Sequence, residues 1–378
     1  MNYTEFCHLN ERVTSLTKQE IKTPIIVLEA IYNKRNLTDF KTSLRDFFMA
    51  IYNGQLWREK GAFYYYDIYI DLMKLLDALW LINDYRPELS TMTCHFHQPS
   101  FKPMNLFHDV FQRRIENNQK GESQITILEE FYQKNNLPTI KYHIYNYLQL
   151  GLNASYMSND SYYYFSIEKA NVIMIFLDFE RLIEEGQSIC NKNKFAPQKF
   201  SYRKHIKFAS DLDHPNMLDY ETIAYPMNYI LIIFDYYITF EQISESLKLW
   251  KQSFFEKKFW PNADSPGNML FLAYLLKNLI ECIWLLQQKN QLIDCTIEED
   301  LSCSRKKMYL TLKEEELSDP SKVINSFFEH KKMHKWKTEI DAWTKNSLSS
   351  KETIDMNKTS VDFHHLLRFI EASHLIAY

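Results

Sequence analysis

From Val27 the chain reads VLEAIYNKRNLTDFKTSL, and from Ile127 it reads ILEEFYQKNNLPTIKYHI, a gapless pair sharing Leu, Glu, Tyr, Lys, Asn, Leu and Lys at equivalent places. In both, apolar residues return at steps of three and four among polar ones, which predicts two amphipathic helices joined by a short turn. The spacing recurs after Pro320, where Val323, Ile324, Phe327, Phe328, Met333, Trp336, Ile340 and Trp343 fall on Val27, Leu28, Ile31, Tyr32, Leu37, Phe40, Leu44 and Phe47. A further copy starts at Pro226. It needs one inserted residue before Phe240, Ile243, Leu247 and Trp250 reproduce the spacing of Leu37, Phe40, Leu44 and Phe47.

After a polar interval each copy continues into a third apolar stretch: LMKLLDALWLI from Leu72, IMIFLDFERLI from Ile173, KNLIECIWLL ending at Leu286, and LLRFIEASHLI from Leu366. These superpose on one acidic position, held by Asp77, Asp178, Glu281 and Glu371. Three copies open with a proline (Pro24, Pro226, Pro320) in the first turn of the first helix, where a missing N–H costs nothing. Just before it stand the related lead-ins LTKQEIKTP, LDYETIAYP and LKEEELSDP.

The pattern therefore predicts an all-α chain of four tandem three-helix units of about 100 residues, forming a helical-repeat array, either an open solenoid or a closed arrangement. The expected divisions are unit 1 at 1–85, an insert plus unit 2 at 86–187, a basic insert plus unit 3 at 188–289, and an insert plus unit 4 at 290–378. Non-repeating stretches fall near 86–118, 188–219 and 288–311, and functional specialisation is expected there.

Composition narrows the picture. Only six of 378 residues are glycine, and Gly54, Gly61, Gly121, Gly151, Gly186 and Gly267 stand alone, so no phosphate-cradling loop is expected. A net charge of −4 gives no global pull toward nucleic acid or an anionic membrane. The six cysteines are dispersed without a CxxC pair, which suits a reducing cytoplasm, and the charged N-terminal segment lacks the apolar core of a secretory leader. The most apolar stretch, Met269 to Leu286, is interrupted by Lys277, Asn278 and Glu281, so a core helix is expected there and no membrane partner.

Several residues could carry chemistry. The four recurrent acids could pool into a metal or acid–base site if the units converge, as facing bundle helices do; a structural link repeated in each unit is the simpler reading. Cys94, His95, His97 and His108 offer zinc-type ligands, although their spacing fits no standard zinc module. His330 and His334 lie four apart in EHKKMHKWK, a spacing that can bind metal on one helix face, but lysines crowd it and no glutamate follows His330. No cofactor is otherwise expected. Arg368 and His374 resemble the short Arg-to-His signature of HEPN-type helical ribonucleases, yet His374 aligns with Trp80 and Trp284 and so reads as a packing position. Asp211, Asp213 and His214 suit a turn or helix cap.

The run from Asn191 to Phe208 holds Lys192, Lys194, Lys199, Arg203, Lys204 and Lys207 with interleaved aromatics and no acid. A linker anchored by its aromatics accounts for it; a surface that follows a phosphate backbone and stacks on bases would have the same composition. The leading expectation is a non-catalytic, cytoplasmic helical-repeat scaffold for a protein or peptide partner. Nucleic-acid binding through 191–208 is the alternative, and a metal-dependent helical enzyme using Cys94, His97 and His108 or the recurrent acids is the third reading. The nucleic-acid alternative predicts an affinity that falls steeply with salt and is abolished by Lys199→Glu, Arg203→Glu and Lys204→Glu together. A filter-binding salt series on the triple variant checks it.

Overall fold

A computed structural model of the chain describes residues 15–53, 56–84, 125–135, 137–153, 169–195, 218, 220–254, 259–262, 265–292, 308–349 and 356–378. The protein is all-α: the described residues form helices, with no strand among them. In chain order these are α1 (Lys18–Lys22), α2 (Ile25–Lys34), α3 (Leu37–Tyr52), α4 (Leu56–Lys60), α5 (Ala62–Asp84), α6 (Ile125–Lys134), α7 (Leu137–Gly151) and α8 (Lys169–Phe195). There follow α9 (Tyr220–Ala224), α10 (Pro226–Ile232), a π-helical turn (Ile233–Tyr237), α11 (Phe240–Ser253), α12 (Phe259–Asn262) and α13 (Pro266–Gln288). The last four are α14 (Glu314–Ser318), α15 (Ser321–His330), α16 (Met333–Leu348) and α17 (Met356–Ala377).

The apolar positions picked out by spacing line the core. Val27, Leu28, Ile31, Phe40, Leu44 and Phe47 are buried, as are Val323, Ile324, Phe327, Met333, Trp336, Ile340 and Trp343, and Phe240, Ile243, Leu247 and Trp250. Three of the amphipathic pairs break at a corner of similar backbone shape. Arg35 (φ −138°, ψ 124°) and Asn36 (−65°, 168°) divide α2 from α3. Ile238 (−162°, 127°) and Thr239 (−69°, 158°) precede α11, and Lys331 (−146°, 139°) and Lys332 (−61°, 152°) precede α16. The second corner residue is the N-cap. Asn36 accepts from the Asp39 amide at 2.9 Å and Thr239 from the Gln242 amide at 3.3 Å, meeting donors that the first helical turn leaves open.

Where the third sequence copy carries its extra residue, the helix widens instead of breaking. Ile233–Tyr237 turn as π-helix, and the Ile238 amide closes on the Ile233 carbonyl at 3.0 Å. A π turn absorbs one residue while keeping the helix axis.

Two corrections concern the third helices. The interval before Leu72, read as polar, belongs to the helix itself: α5 begins at Ala62 and runs through FYYYDIYI, whose residues are mostly buried or half-buried. Likewise α8 continues to Phe195, so 188–195 extend a helix where an insert was expected. The apolar α13 is long and apolar enough to cross a membrane by length and composition, yet most of it is buried inside the protein.

Packing interleaves the helices. In the N-terminal half, α3 lies on α7, while α5 packs on α2 and also across on α6 and α7; α8 reciprocates, packing on α6 and across on α2 and α3. Tyr32 of α2 donates to the Ile183 carbonyl of α8 at 2.6 Å, and Tyr132 of α6 donates to the Leu76 carbonyl of α5 at 2.7 Å. In the C-terminal half α13 packs on α10 and α16, and α15 on α17. The halves join because α5 packs on α7, α7 on α13, α13 on α16 and α16 on α5, so these four form a ring. Its α7–α13 side is sealed by Tyr145, which donates to the Leu270 carbonyl, and by Ser265 and the Gly267 amide, which both reach the Leu152 carbonyl, at 2.7 and 3.2 Å. A Cβ at Gly267 would lie 2.5 Å from the Gln149 carbonyl oxygen, so this docking needs glycine.

Gly186 of α8 is required for the same reason at the Tyr32 bond, because a Cβ there would sit 2.6 Å from the Tyr32 hydroxyl. Gly186→Ala is expected to lower stability by about 1–3 kcal/mol through overpacking, despite the alanine's helix advantage of about 1 kcal/mol. In a Tyr32→Phe background, which removes the obstructing oxygen, the same change becomes close to neutral. Urea melts of the four proteins check this.

Candidate functional site

The acidic position shared by the third helices comes first, since a carboxylate within an apolar helix must be met by a partner. On α5, Asp77 has no exposed surface and accepts from Lys141 Nζ of α7 at 2.6 Å and from the Ser15 amide at 2.7 Å. Lys141 is itself only 9% exposed, so this ion pair lies in the interior of the α5–α7 contact. On α13, Glu281 is equally buried and pairs with Lys337 of α16. On α17, Glu371 accepts from the Leu310 and Thr311 amides at 3.2 and 3.0 Å and from the Thr311 hydroxyl at 2.7 Å. Burial pushes its carboxyl above the usual carboxylate range, and the Thr311 and Leu310 bonds oppose that.

Asp178 differs because α8 presents it nearer the surface, where Lys134 Nζ reaches it at 2.8 Å. With Glu130 and Arg181, 3.3 Å apart, this pair rims a depression floored by Ile127, Phe131 and Leu182. The depression has room for about one water molecule.

The residues that receive these acids were missed by the sequence reading, although the alignment contained them. Lys41, Lys141 and Lys337 occupy one aligned position, and each meets a carboxylate on a third helix: Glu184, Asp77 and Glu281. A second link was also legible. The lead-in glutamates cap their own short helices, Glu20 accepting from the Thr17 amide at 2.7 Å and Glu316 from the Lys313 amide at 2.8 Å. Their other oxygens take Lys74 and Arg368, each three residues before the recurrent acid. Both glutamates are held below the ordinary carboxylate range, because these bonds together outweigh the burial that acts against them.

The acids are thus not pooled. Among the described residues no group of three or more His, Cys, Asp or Glu side chains is arranged to hold a metal ion. The pairing of His330 with His334 on one helix face is corrected: His330 ends α15, His334 lies in α16, and the corner at Lys331 and Lys332 separates them. His330 instead hydrogen-bonds Asp362 at 3.0 Å and stacks on His365. Arg368 is paired with Glu316. His374 hydrogen-bonds the Tyr309 hydroxyl at 2.9 Å and sits among Phe234, Phe240 and Tyr378, with ring centroids 4.9–5.0 Å away. Cys94, His95, His97, His108, Lys199, Arg203, Lys204, Lys207, Asp211, Asp213 and His214 lie outside the described residues. Lys192 and Lys194 fall in the last turns of α8, their side chains outside the description.

The His374 cluster joins the π turn to the end of α17, where the Tyr378 hydroxyl also donates to Asp235. Tyr378 itself is 48% exposed, and the chain neighbours of Tyr309 and Asp235, Leu310 (85%) and Tyr236 (69%), are exposed large apolar side chains. The arrangement offers apolar and aromatic contact surface, which suits recognition more than proton transfer.

The two classes of acid should respond differently to removal. Asp77→Ala strands a buried lysine and is expected to cost about 3–5 kcal/mol, whereas Asp178→Ala, whose Lys134 is half exposed, costs about 0.2–1 kcal/mol. Replacing both members, Asp77→Leu with Lys141→Met, recovers most of the loss. Denaturant midpoints of these variants check all three.

Comparison of the chain with protein-family models, with curated proteins and with solved structures finds no match in any of the three.

Proposed function

We propose that the chain is a cytoplasmic, non-catalytic α-helical repeat protein of four three-helix units that acts as a scaffold for a protein or peptide partner. The observation that carries this reading is the use of the four recurrent carboxylates as fasteners: Asp77, Asp178 and Glu281 on lysines, and Glu371 on backbone amides. Groups engaged in this way hold helices in register and do not serve as a common acid–base set. The four-unit description is supported by the matching corners at Arg35–Asn36, Ile238–Thr239 and Lys331–Lys332, and by the equivalent amide bonds from Ser15 to Asp77 and from Thr311 to Glu371. Burial of Cys190 and Cys282 as thiols is in keeping with a reducing compartment.

The binding face on this reading includes the π turn and its neighbours, because there one copy departs from the common helix and exposes Tyr236, while Asp235 of the same turn meets Tyr378. Aromatic side chains at such a place supply large contact area at low entropic cost. The partner would present apolar side chains to them. Using the full chain as bait in extract of its native host, the reading expects a stable partner whose capture falls about tenfold or more in Tyr236→Ser and Leu310→Ser, with unchanged melting. Turnover of a small substrate by the purified chain, with no stable partner captured, overturns it.

A further inference from the structure

Helix α17 packs on α15 through the stacked rings of Phe327 and Phe369, 4.0 Å apart, and beyond them through a pair of imidazoles. His330, the last residue of α15, and His365 of α17 stack with ring centroids 4.1 Å apart and planes 13° from parallel. Such a stack is favourable between neutral rings, and two positive charges at this separation would repel strongly. We infer that the His330–His365 stack is an acid-sensitive catch: it joins α17 to α15 while His365 is neutral and loosens that contact as His365 takes up a proton.

The surroundings explain why the catch would respond to mild acid. His330 Nε2 bonds Asp362 Oδ1 at 3.0 Å, and Asp362, itself almost fully buried, also takes Lys331 from the corner after α15. Lys331 reaches Glu339 of α16 at 3.3 Å, and the Trp336 ring of α16 lies 5.8 Å from His330. Along α17 the charged neighbours are His364 and Arg368, and Arg368 is tied to Glu316 of α14. Asp362 is the nearby carboxylate, and its buried oxygens are already shared between His330 and Lys331.

His365 is accordingly held below the ordinary histidine value of 6.5. Burial is the main cause, followed by the His330 ring, Arg368 and His364, with Asp362 pulling the other way. The sign follows from linkage. A histidine whose folded value is depressed favours the folded state fully above 6.5, and that contribution is lost as pH falls below it. Because α17 also carries Glu371, which anchors the 310–311 segment, and is followed directly by Tyr378, which meets the π turn, loosening it would reach the face described above.

Hydrogen exchange of the full chain at about pH 7.5 and about pH 5, corrected for intrinsic rates, tests this locally. Protection of 359–377 is expected to fall about tenfold or more relative to α5 and α7, which serve as internal reference, and the fall is expected to vanish in His365→Gln. His330→Gln gives an independent second variant that should also remove it. Equal changes in α17 and in α5 and α7 of the native chain, or an undiminished fall in either folded variant, overturn the proposal.

Discussion

A carboxylate buried in an apolar helix has to be answered by another helix, and that demand organises this protein. Asp77 and Glu281 are without exposed surface, and each is answered by a lysine from a helix that follows it in the chain, Lys141 and Lys337. An unanswered charge at either place would cost several kcal/mol, so the α5–α7 and α13–α16 contacts cannot slide by a turn without losing their partner. Apolar burial drives these helices together without direction; the ion pairs and amide bonds set their register.

Around these two contacts the ring of α5, α7, α13 and α16 closes through tyrosines. Tyr69, Tyr145 and Tyr274 follow one another at centroid separations of 5.9 and 5.7 Å across α5, α7 and α13. Burial keeps the Tyr69 and Tyr145 hydroxyls protonated far above the usual tyrosine range, and Tyr145 uses its proton to bond the Leu270 carbonyl. Tyrosine suits such a junction because it contributes a large apolar ring and still satisfies a backbone acceptor. Against this, the glycines at 186 and 267 mark the places where backbone or hydroxyl approaches too closely for any side chain.

The periodicity made the amphipathic pairs legible, because three- and four-residue spacing depends on one helix alone. Even the extra residue near Pro226 had a physical counterpart in the π turn. What spacing could not convey was which helix answers which. A structural link repeated inside each unit left out that Lys141 comes from the next copy and that α5 and α8 each cross to the other's helix pair. The lysines were visible as an aligned column, but a column of surface-type residues carries no sign of burial until the partner is known. The helical reach of 188–195 was hidden for a similar reason, since polar composition there resembles a linker.

The claim that the ring makes one body of the two halves is tested most directly by native-state hydrogen exchange at rising urea. The most protected amides of α5, α7, α13 and α16 should share one opening free energy and one urea dependence, that of global unfolding. If those of α13 and α16 exchange through a separate, lower-energy opening while α5 and α7 stay protected, the halves fold independently and the account is contradicted.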